Sequence, residues 1–474
     1  MGMTREHAEE LYHQGMEPTV AVLLELSERV EQAEEKLRTN SSNSSKPPSS
    51  DPPSVEKQSR QKTDRRKRGG QPGHKGTTRP LLRLEEVGAV VPCTPQEQCQ
   101  CGGRVECDDA EPQRHQKVEL PPVTPHVTEY RCLSGTCVQC GRQYWGELPA
   151  GVPAGMLGPR AMAVVALLSG KYHLSKRQVA DMLFDLLGTQ VSLGTVSNTE
   201  ARVSEALAQP VDEAKSFVPQ QAVVHADETG HKMAGKKAWM WVGATALVSV
   251  FLIRFSRGVE VAKELLGEKF SGLLVSDRWH AYTWVEVLRR QLCWAHLERD
   301  VTKISERGGR SKEVGDAILE YVWEMWHLWH RFKSGQRGRA WFQRKMGPIR
   351  QGVEALLQAG GECGHPKTEK TCKRILKLKP ALWTFVNTCG VEPTNNFGER
   401  TIRPYVLWRK ISFGTQSARG NLFVERMMTV TATCRQQGRN TLEYLTEAIQ
   451  AHLCGHPAPS LLPQNTTAGL RRAA

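Results

Sequence analysis

Three carboxylates stand out for the chemistry they could do together. Asp227 closes a short apolar run in AVVHADETG, residues 222–230. Asp277 closes another in GLLVSDRWHAY. Glu399 lies in GVEPTNNFGERTIRPYVLWRK, residues 390–410, among Arg400, Arg403, Arg409 and Lys410. Taken singly, each has an ordinary explanation: an Asp at a strand end caps or faces water, and a Glu beside Arg pairs on a helix surface. As a set they suggest more. Carboxylates on two strand ends and a facing helix can hold two Mg²⁺ about 3.5–4 Å apart, the spacing for in-line phosphoryl displacement. The four cations around Glu399 then suit phosphates.

The elements that must position these groups follow from pattern. Residues 222–226 read as a buried strand with Asp227 at its C-terminal end. AWMWVGATALVSVFLIRF, residues 238–255, supplies two strands parted near Gly243–Ala246 or Ser249, and 259–267 is helical. RQLCWAHLERD gives a strand-to-helix passage carrying Cys293, His296 and Arg299. Thr394 suits the N-cap of a helix that holds Glu399 in its second turn. Pro404 should stop or kink that helix near Ile402. Asp277 and Glu399 are 122 positions apart, too far for a loop, so residues 300–390, helical in pattern and rich in Trp and Arg, read as an inserted helical subdomain. One more helix spans 416–437, and the tail beyond about 455 reads as disordered.

Upstream, the chain changes character. Lys and Arg number 64 against 50 Asp and Glu in 474 residues, an excess that suits a polyanionic partner. Leu23, Leu26, Val30, Ala33 and Leu37 form a short heptad seam, for a coiled coil or for packing within the chain. NSSNSSKPPSSDPPSVEK is too polar and proline-rich to bury a core. Between 57 and 79, nine Lys or Arg, among them Arg65, Arg66, Lys67 and Arg68, accompany one acid, Asp64. Such an arm can follow a phosphate backbone without reading bases. Seven of the thirteen cysteines lie between 93 and 140. The N-terminus lacks a secretory pattern, so the cluster argues for metal rather than disulfides and the chain for the cytosol. Cys137-x-x-Cys140 is a good zinc knuckle, and Cys101 and Cys99 are the favoured partners, with Cys93 and Cys132 in reserve. Residues 158–207 read as helical. Within them Gln178–Leu187, a turn at Gly188 and a helix capped by Ser192 form helix-turn-helix patterning that offers Thr195, Ser197 and Asn198 to a groove. No apolar run is long enough to cross a membrane.

From about residue 16 to 440 the chain resembles a transposase of the insertion-sequence 66 family. The resemblance is carried by NSSKPPSSD, GGQPGHKG, ADETG, SDRWHAY, CWAHLER, EPTNNFGERTIRP and WRKISFG, in that order. It implies an Asp-Asp-Glu enzyme on an RNase H-like fold, a mixed sheet with flanking helices and an α-helical insertion. Asp227, Asp277 and Glu399 would be its catalytic residues, holding two Mg²⁺, and the Cys293–His296–Arg299 motif would support the site. The resemblance also implies a leucine-rich N-terminal helix, a zinc segment and a helix-turn-helix in this order; Cys99-x-Cys101 departs from the usual two-residue spacing.

The organisation expected is an N-terminal helix (1–39), linker and basic arm (40–80), zinc segment (81–149), helix-turn-helix region (150–215), catalytic domain (216–440) and C-terminal helix and tail (441–474). The partners implied are double-stranded DNA at transposon ends and target, further copies of the chain on that DNA, and small companion proteins of the element, in the cytoplasm at the nucleoid. Two other readings stand beside transposition: a DNA-binding protein that has lost catalysis, and a nuclease of the same fold that cuts without joining.

Overall fold

A computed structural model describes residues 10, 12–38, 40, 44–46, 80–107 and 111–463. The basic arm, with Arg65, Arg66, Lys67 and Arg68, lies outside the described residues. The chain divides into two compact units, Lys57–Pro125 and the remainder. Described residues of the smaller unit carry a 3₁₀ turn at Leu84–Glu86 and an isolated bridge between Gln98 and Arg104.

In the larger unit, helix α1 (Met16–Arg38) leaves the seam residues Leu23 and Val30 exposed and Leu26 half-exposed. A hairpin of β1 (Ser134–Thr136) and β2 (Gln143–Trp145) follows. Four helices come next: α2 (Pro159–Gly170), α3 (Lys176–Leu187), α4 (Leu193–Ala206) and α5 (Ala208–Phe217). Ser175 and Gln178 form a capping box on α3, and Gly188 ends it in the left-handed conformation at φ 59°. Ser192 caps α4 by accepting from the Thr195 amide at 3.0 Å, as its sequence position suggests.

A five-stranded sheet forms the centre, in the order β5-β4-β3-β6-β7. Strands β3 (Val223–Met233), β4 (Lys236–Ala244) and β5 (Ser249–Arg254) run as an antiparallel meander. Helix α6 (Val259–Leu266) then leads to β6 (Leu273–Ser276), parallel to β3, and β7 (Arg290–Leu292) lies parallel to β6. Below β3, Val224 and Ala226 pack with Trp241, Leu252 and the apolar face of α6. The opposite face of β4 and β5 packs on α2–α5, α12 (Asn396–Ser412), α13 (Ala418–Gln437) and α14 (Thr441–Leu453).

The edge strand β5 is closed by side chains of α13. The amides of Ser249, Phe251 and Ile253 donate to Thr433 Oγ1 (3.1 Å), Thr429 Oγ1 (3.1 Å) and Glu425 Oε1 (2.6 Å). Two strand residues advance about 6.7 Å and four helical residues about 6 Å, so every second amide meets every fourth side chain. This covers the edge without another strand.

Between β7 and α12 the chain forms a helical insertion: α7 (Trp294–Ser305), α8 (Gly309–Lys333), α9 (Arg339–Gly360), α10 (Pro366–Leu376) and α11 (Thr384–Asn387). It has its own core, in which Trp329 packs against Phe332, Phe342 and Phe385. Trp323 is the exception, 68% exposed. No helix among the described residues is long and apolar enough to cross a membrane.

Three local expectations are corrected. Strand β3 does not end at Asp227 but runs on to Met233, because β4 pairs with it through nine residues. Helix α12 passes through Pro404 to Ser412; Ile402 and Tyr405 on either side are buried and hold it in place despite the missing amide. The chain past 455 is ordered as far as described: Leu461 is fully buried, and the Tyr444 hydroxyl donates to Pro459 O at 2.8 Å.

Candidate active site

Strand β3 alternates its side chains between two environments. Val224, Ala226 and Glu228 are buried in the core beneath, while His225, Asp227, Thr229 and His231 face the other way. Its pairing with β6 matches Val223 to Leu273, Val224 to Leu274 and His225 to Val275. The same offset carried two residues further sets Asp227 opposite Asp277, just beyond the end of β6. There Asp277 Oδ1 accepts from the Trp279 amide at 2.8 Å.

Glu399 reaches the site because the start of α12 is fastened to β3. The residue before that helix is Asn395 rather than the expected Thr394, and its side chain caps nothing. Its Nδ2 donates instead to Ala226 O at 2.8 Å, and its Oδ1 lies 3.0 Å from His225 Nδ1. Glycine at 398 permits this, since a Cβ there would lie 2.8 Å from Asn395 Oδ1. Glu399 thus falls in the first turn of α12 rather than the second. Further along, Arg409 donates to Thr229 Oγ1 (2.9 Å) and to Gly230 O, and Tyr405 Oη lies 2.5 Å from His231 Nδ1. The helix therefore lies along the strand that carries Asp227.

Electrostatics record the convergence. Burial, followed by the charges of Glu228, Asp277 and Glu399, pushes Asp227 well above the usual carboxylate range. One backbone amide, that of Glu228 at 2.9 Å from Asp227 Oδ1, pulls the other way. Neighbouring carboxylate charges repel one another, which a cation would relieve, and an all-oxygen donor set suits a hard divalent ion. These residues fit Mg²⁺.

Behind the carboxylates lies a buried network. Burial and then the Asp277 charge raise the pKa of Glu228, while the Tyr282 hydroxyl at 2.6 Å and the Arg257 guanidinium at 2.6 and 2.9 Å counter the rise. The Arg257 guanidinium carbon sits 3.6 Å from the centre of the Trp279 ring and 4.6 Å from that of Trp239. Trp279 Nε1 donates to Arg257 O at 3.0 Å, tying this network to the residue that fixes Asp277. Arg290, buried on β7, is lowered to about 10 by burial against the opposing pull of Asp277.

Cys293 and His296 open α7 on the other flank. Glu399 Oε1 lies 3.6 Å from His296 Nδ1 and 4.0 Å from Cys293 Sγ. Among the described residues, these three form a group of metal-ligating types within mutual reach, all ligand atoms lying within 4.8 Å. Burial lowers His296 and holds the Cys293 thiol up at about 11.

The other residues singled out in the sequence lie as follows. Arg400, Arg403 and Lys410 are exposed on α12, whereas Arg409 is bonded to β3 as described. On α4, Asn198 is exposed; Ser197 accepts from Lys176 (2.8 Å) and Arg419 (3.2 Å), and Thr195 Oγ1 lies 3.0 Å from the capping Ser192 Oγ. In the smaller unit, a tight turn at Cys99–Gly103 is closed by the Cys99 amide on Gly103 O (2.8 Å) and the Gly102 amide on Cys99 O (2.9 Å). There the Gly103 amide, then Cys99, lower the Cys101 thiol. In the larger unit, the turn between β1 and β2 is closed by the Cys137 amide on Arg142 O and the Gly141 amide on Cys137 O, both 2.9 Å. Backbone N–H groups of Cys140 and Gln139 lower the Cys137 thiol. Cys93 and Cys132 are exposed and free.

Pattern reasoning passed over Glu228, Arg257, Trp279, Arg290 and Asn395. One signal was available for Glu228. Strand alternation puts it on the inner face with Val224 and Ala226, where an acid requires a buried partner.

The profile of the transposase IS66 family matches residues 154–422, more than half of the chain. The chain belongs to the IS66 transposase family. The matched span of this IS66 chain holds Asp227, Asp277, Glu399, Cys293 and His296. A second profile, that of a family of unknown function (DUF6444), matches residues 4–80, so the cysteines at 93–140 fall in neither match. Two similar proteins, both from Sinorhizobium fredii (strain NBRC 101917 / NGR234), are uncharacterized. The protein y4qI is 27% identical over 322 residues, covering 61% of this chain and 59% of its own length. The protein y4jO is 25% identical over 164 residues, covering 33% of this chain and 47% of its own. The chain thus spans about half to three-fifths of the length of these relatives.

Proposed function

We propose that this IS66-family chain binds the ends of an insertion sequence and catalyses Mg²⁺-dependent strand cleavage and strand transfer. The observation that supports the reading is the strand register that sets Asp227 opposite Asp277, with Glu399 in the first turn of the helix fastened to β3 through Asn395. The charges of Asp277 and Glu399 both raise the pKa of Asp227. The three-strand meander with two parallel strands added beside β3 supports an RNase H-like catalytic core.

In this reading Asp227, Asp277 and Glu399 are the catalytic carboxylates and hold two Mg²⁺. When bound, the ions activate the attacking oxygen and stabilise the leaving 3′ oxygen. The protein's part is to fix the ligands. The Trp279 amide orients Asp277, Asn395 sets the height of Glu399 over β3, and the Glu228–Arg257–Tyr282 network keeps a second carboxylate from competing beside Asp227. Arg400, Arg403 and Lys410 neutralise neighbouring phosphates, and Arg409 contributes by holding α12 to β3. The exposed face of α4 around Asn198 meets a DNA groove, the arm at 57–79 follows the backbone, and Cys99, Cys101, Cys137 and Cys140 bind a structural zinc. The seam of α1, on which Leu23 and Val30 are exposed, pairs copies of the chain on DNA. Companion proteins of the element and the nucleoid complete the setting.

The test is direct. Purified protein is given a plasmid bearing its own element ends, with Mg²⁺ present or withheld. Nicks at the ends that need Mg²⁺, and joined products from a pre-cut end, are expected. End binding without nicking in Mg²⁺ would return the chain to a DNA-binding role, and nicking without joining to a nuclease.

A further inference from the structure

We propose that Cys293, His296 and Glu399 form a second metal site, for a borderline-soft divalent ion such as Zn²⁺, whose filling withdraws Glu399 from the carboxylate triad. The withdrawal rests on the reading of Glu399 given above; the site itself rests on geometry.

Cys293 is the residue that enters α7, and His296 is three residues on, so both side chains leave one face of the same turn. The His296 amide closes that turn on Cys293 O at 3.1 Å. Glu399 meets them from α12, with Oε1 at 3.6 Å from Nδ1 and 4.0 Å from Sγ. A tetrahedral zinc with Zn–S near 2.3 Å and Zn–N or Zn–O near 2.0–2.2 Å sets its ligand atoms about 3.3–3.8 Å apart. The two distances to Glu399 need a contraction of a few tenths of an ångström, and Sγ and Nδ1 lie within 4.8 Å of one another, so the three groups can take three corners, with water at the fourth.

A second observation points the same way. His296 Nδ1 is a buried nitrogen with no hydrogen-bond partner, and it faces the Glu399 oxygen. Buried ring nitrogens ordinarily find a donor or acceptor; here a ligand can take that place. The donor types also divide the site in two. Carboxylates alone select a hard ion, whereas a sulfur and an imidazole beside one carboxylate favour zinc. Glu399 belongs to both sets, and a zinc that takes Oε1, the oxygen turned to His296 and Cys293, leaves the triad at most Oε2 and draws on the same carboxylate charge. Zinc binding forms a Zn–S bond, releases the thiol proton to water and displaces water from the ion, with no change of oxidation state.

The full-length protein is titrated with Co²⁺ as a spectroscopic stand-in, and bound zinc is counted per chain. The wild type should show a sulfur-to-cobalt charge-transfer component that is lost in Cys293→Ser and persists in Cys137→Ser, which separates this site from the cysteines at 99–140. Bound zinc should fall by one per chain in Cys293→Ser. Should Cys293→Ser fail to fold, since Cys293 is buried, His296→Gln at a half-exposed position should lower zinc affinity about 10–100-fold or more. Identical cobalt spectra and zinc counts in wild type and both variants would overturn the site. On element ends in Mg²⁺, added zinc should suppress wild-type cleavage about tenfold or more, as expected when a ligand is lost, and the ratio with and without zinc should return towards one in His296→Gln. An unchanged ratio in a wild type that binds zinc at Cys293 would overturn the withdrawal of Glu399. A protein that never cleaves in Mg²⁺ counts against the transposition reading, and the cobalt comparison still decides the site.

Discussion

Asp227 has a core on one side of its strand and a packed helix on the other; Cys101 and Cys137 have neither. Groups near Asp227 are held by packed neighbours: Glu228 by Arg257 and Tyr282, Asn395 by β3, α12 by the buried Tyr405 and Ile402. Among the described residues from 80 to 150, by contrast, none is buried, and β1 and β2 are exposed along their whole length. One region can hold its geometry before any ligand arrives. The other has turns of the right kind but no apolar burial to set against the entropy of ordering them, and in the zinc reading proposed above the ion supplies the difference.

The largest effect expected from this contrast lies at the preorganised end. Asp227→Ala, Asp277→Ala and Glu399→Gln should each reduce strand cleavage by about 10³-fold or more, and a double variant should lose little beyond that, because groups acting as a unit are not additive. Binding to element ends should persist in all three. Near-normal cleavage by Glu399→Gln would move the third ligand elsewhere, with Glu392, paired to Lys333, the next acid to test.

At the ligand-dependent end, wild-type protein should carry a zinc that Cys140→Ser releases. Proteolysis should then cut within residues 80–150 while residues 157–461, which hold the buried cores, stay resistant. Purified wild-type protein without zinc, its thiols at 93–140 freely titratable, would remove the contrast altogether.

This division also explains what the sequence made legible. Asp227, Asp277 and Glu399 could be picked out because each follows from a pattern of few residues: an apolar run ending on an acid, or an acid in a charged helix. The turn after β4, the helix at 259–266 and the capped pair α3–α4 were readable for the same reason, since glycines, serines and apolar spacing act locally. Asn395 and Arg257 were not. Asn395 looks like one of two asparagines near a helix start, and only the approach of β3, 169 residues away, gives its amide another use. Arg257 gains its role from Glu228 and from two tryptophans distant in sequence. Pro404 does not stop the helix because a local rule met a helix pinned on both sides of the proline.

A mid-sized effect should separate graded from all-or-none loss. Arg257→Ala leaves the fully buried Glu228 carboxylate without its cation, and breaking such a pair costs about 3–5 kcal/mol. Urea unfolding of the larger unit should show it as a lower midpoint with a slope near that of wild type. Arg257→Lys should recover only part, lacking the fork and the flat face that stack between Trp239 and Trp279. A midpoint unchanged in Arg257→Ala would mean that the network does not hold the region.

The smallest effect concerns acid, and it separates the two regions by cause. His231 is buried between β3, α12 and α13, with Tyr405 Oη at 2.5 Å, Thr415 Oγ1 at 3.0 Å and Asn421 Oδ1 at 3.1 Å. Burial lowers its pKa, and the charge of Arg409 adds to this against the pull of Asn421. The unfolded chain takes up the proton near pH 6.5, the folded one only further down, so the stability is whole above about 6.5 and lost as pH falls through the folded value. In that window the slope approaches about 1.4 kcal/mol per pH unit for one such group. His225, also lowered by burial, adds to it. His296 and His173 are lowered by burial as well. Removing one of these histidines, by His231→Gln, should therefore reduce the acid dependence of the urea midpoint between pH 7 and 5.5 without abolishing it. Acid also protonates zinc-bound thiolates, so the comparison belongs in zinc-stripped protein, where the raised carboxylates Asp227 and Glu228 respond alike in wild type and variant and the difference in slope reports His231. Equal slopes in wild type and His231→Gln under those conditions would show that His231 is not held neutral by the fold.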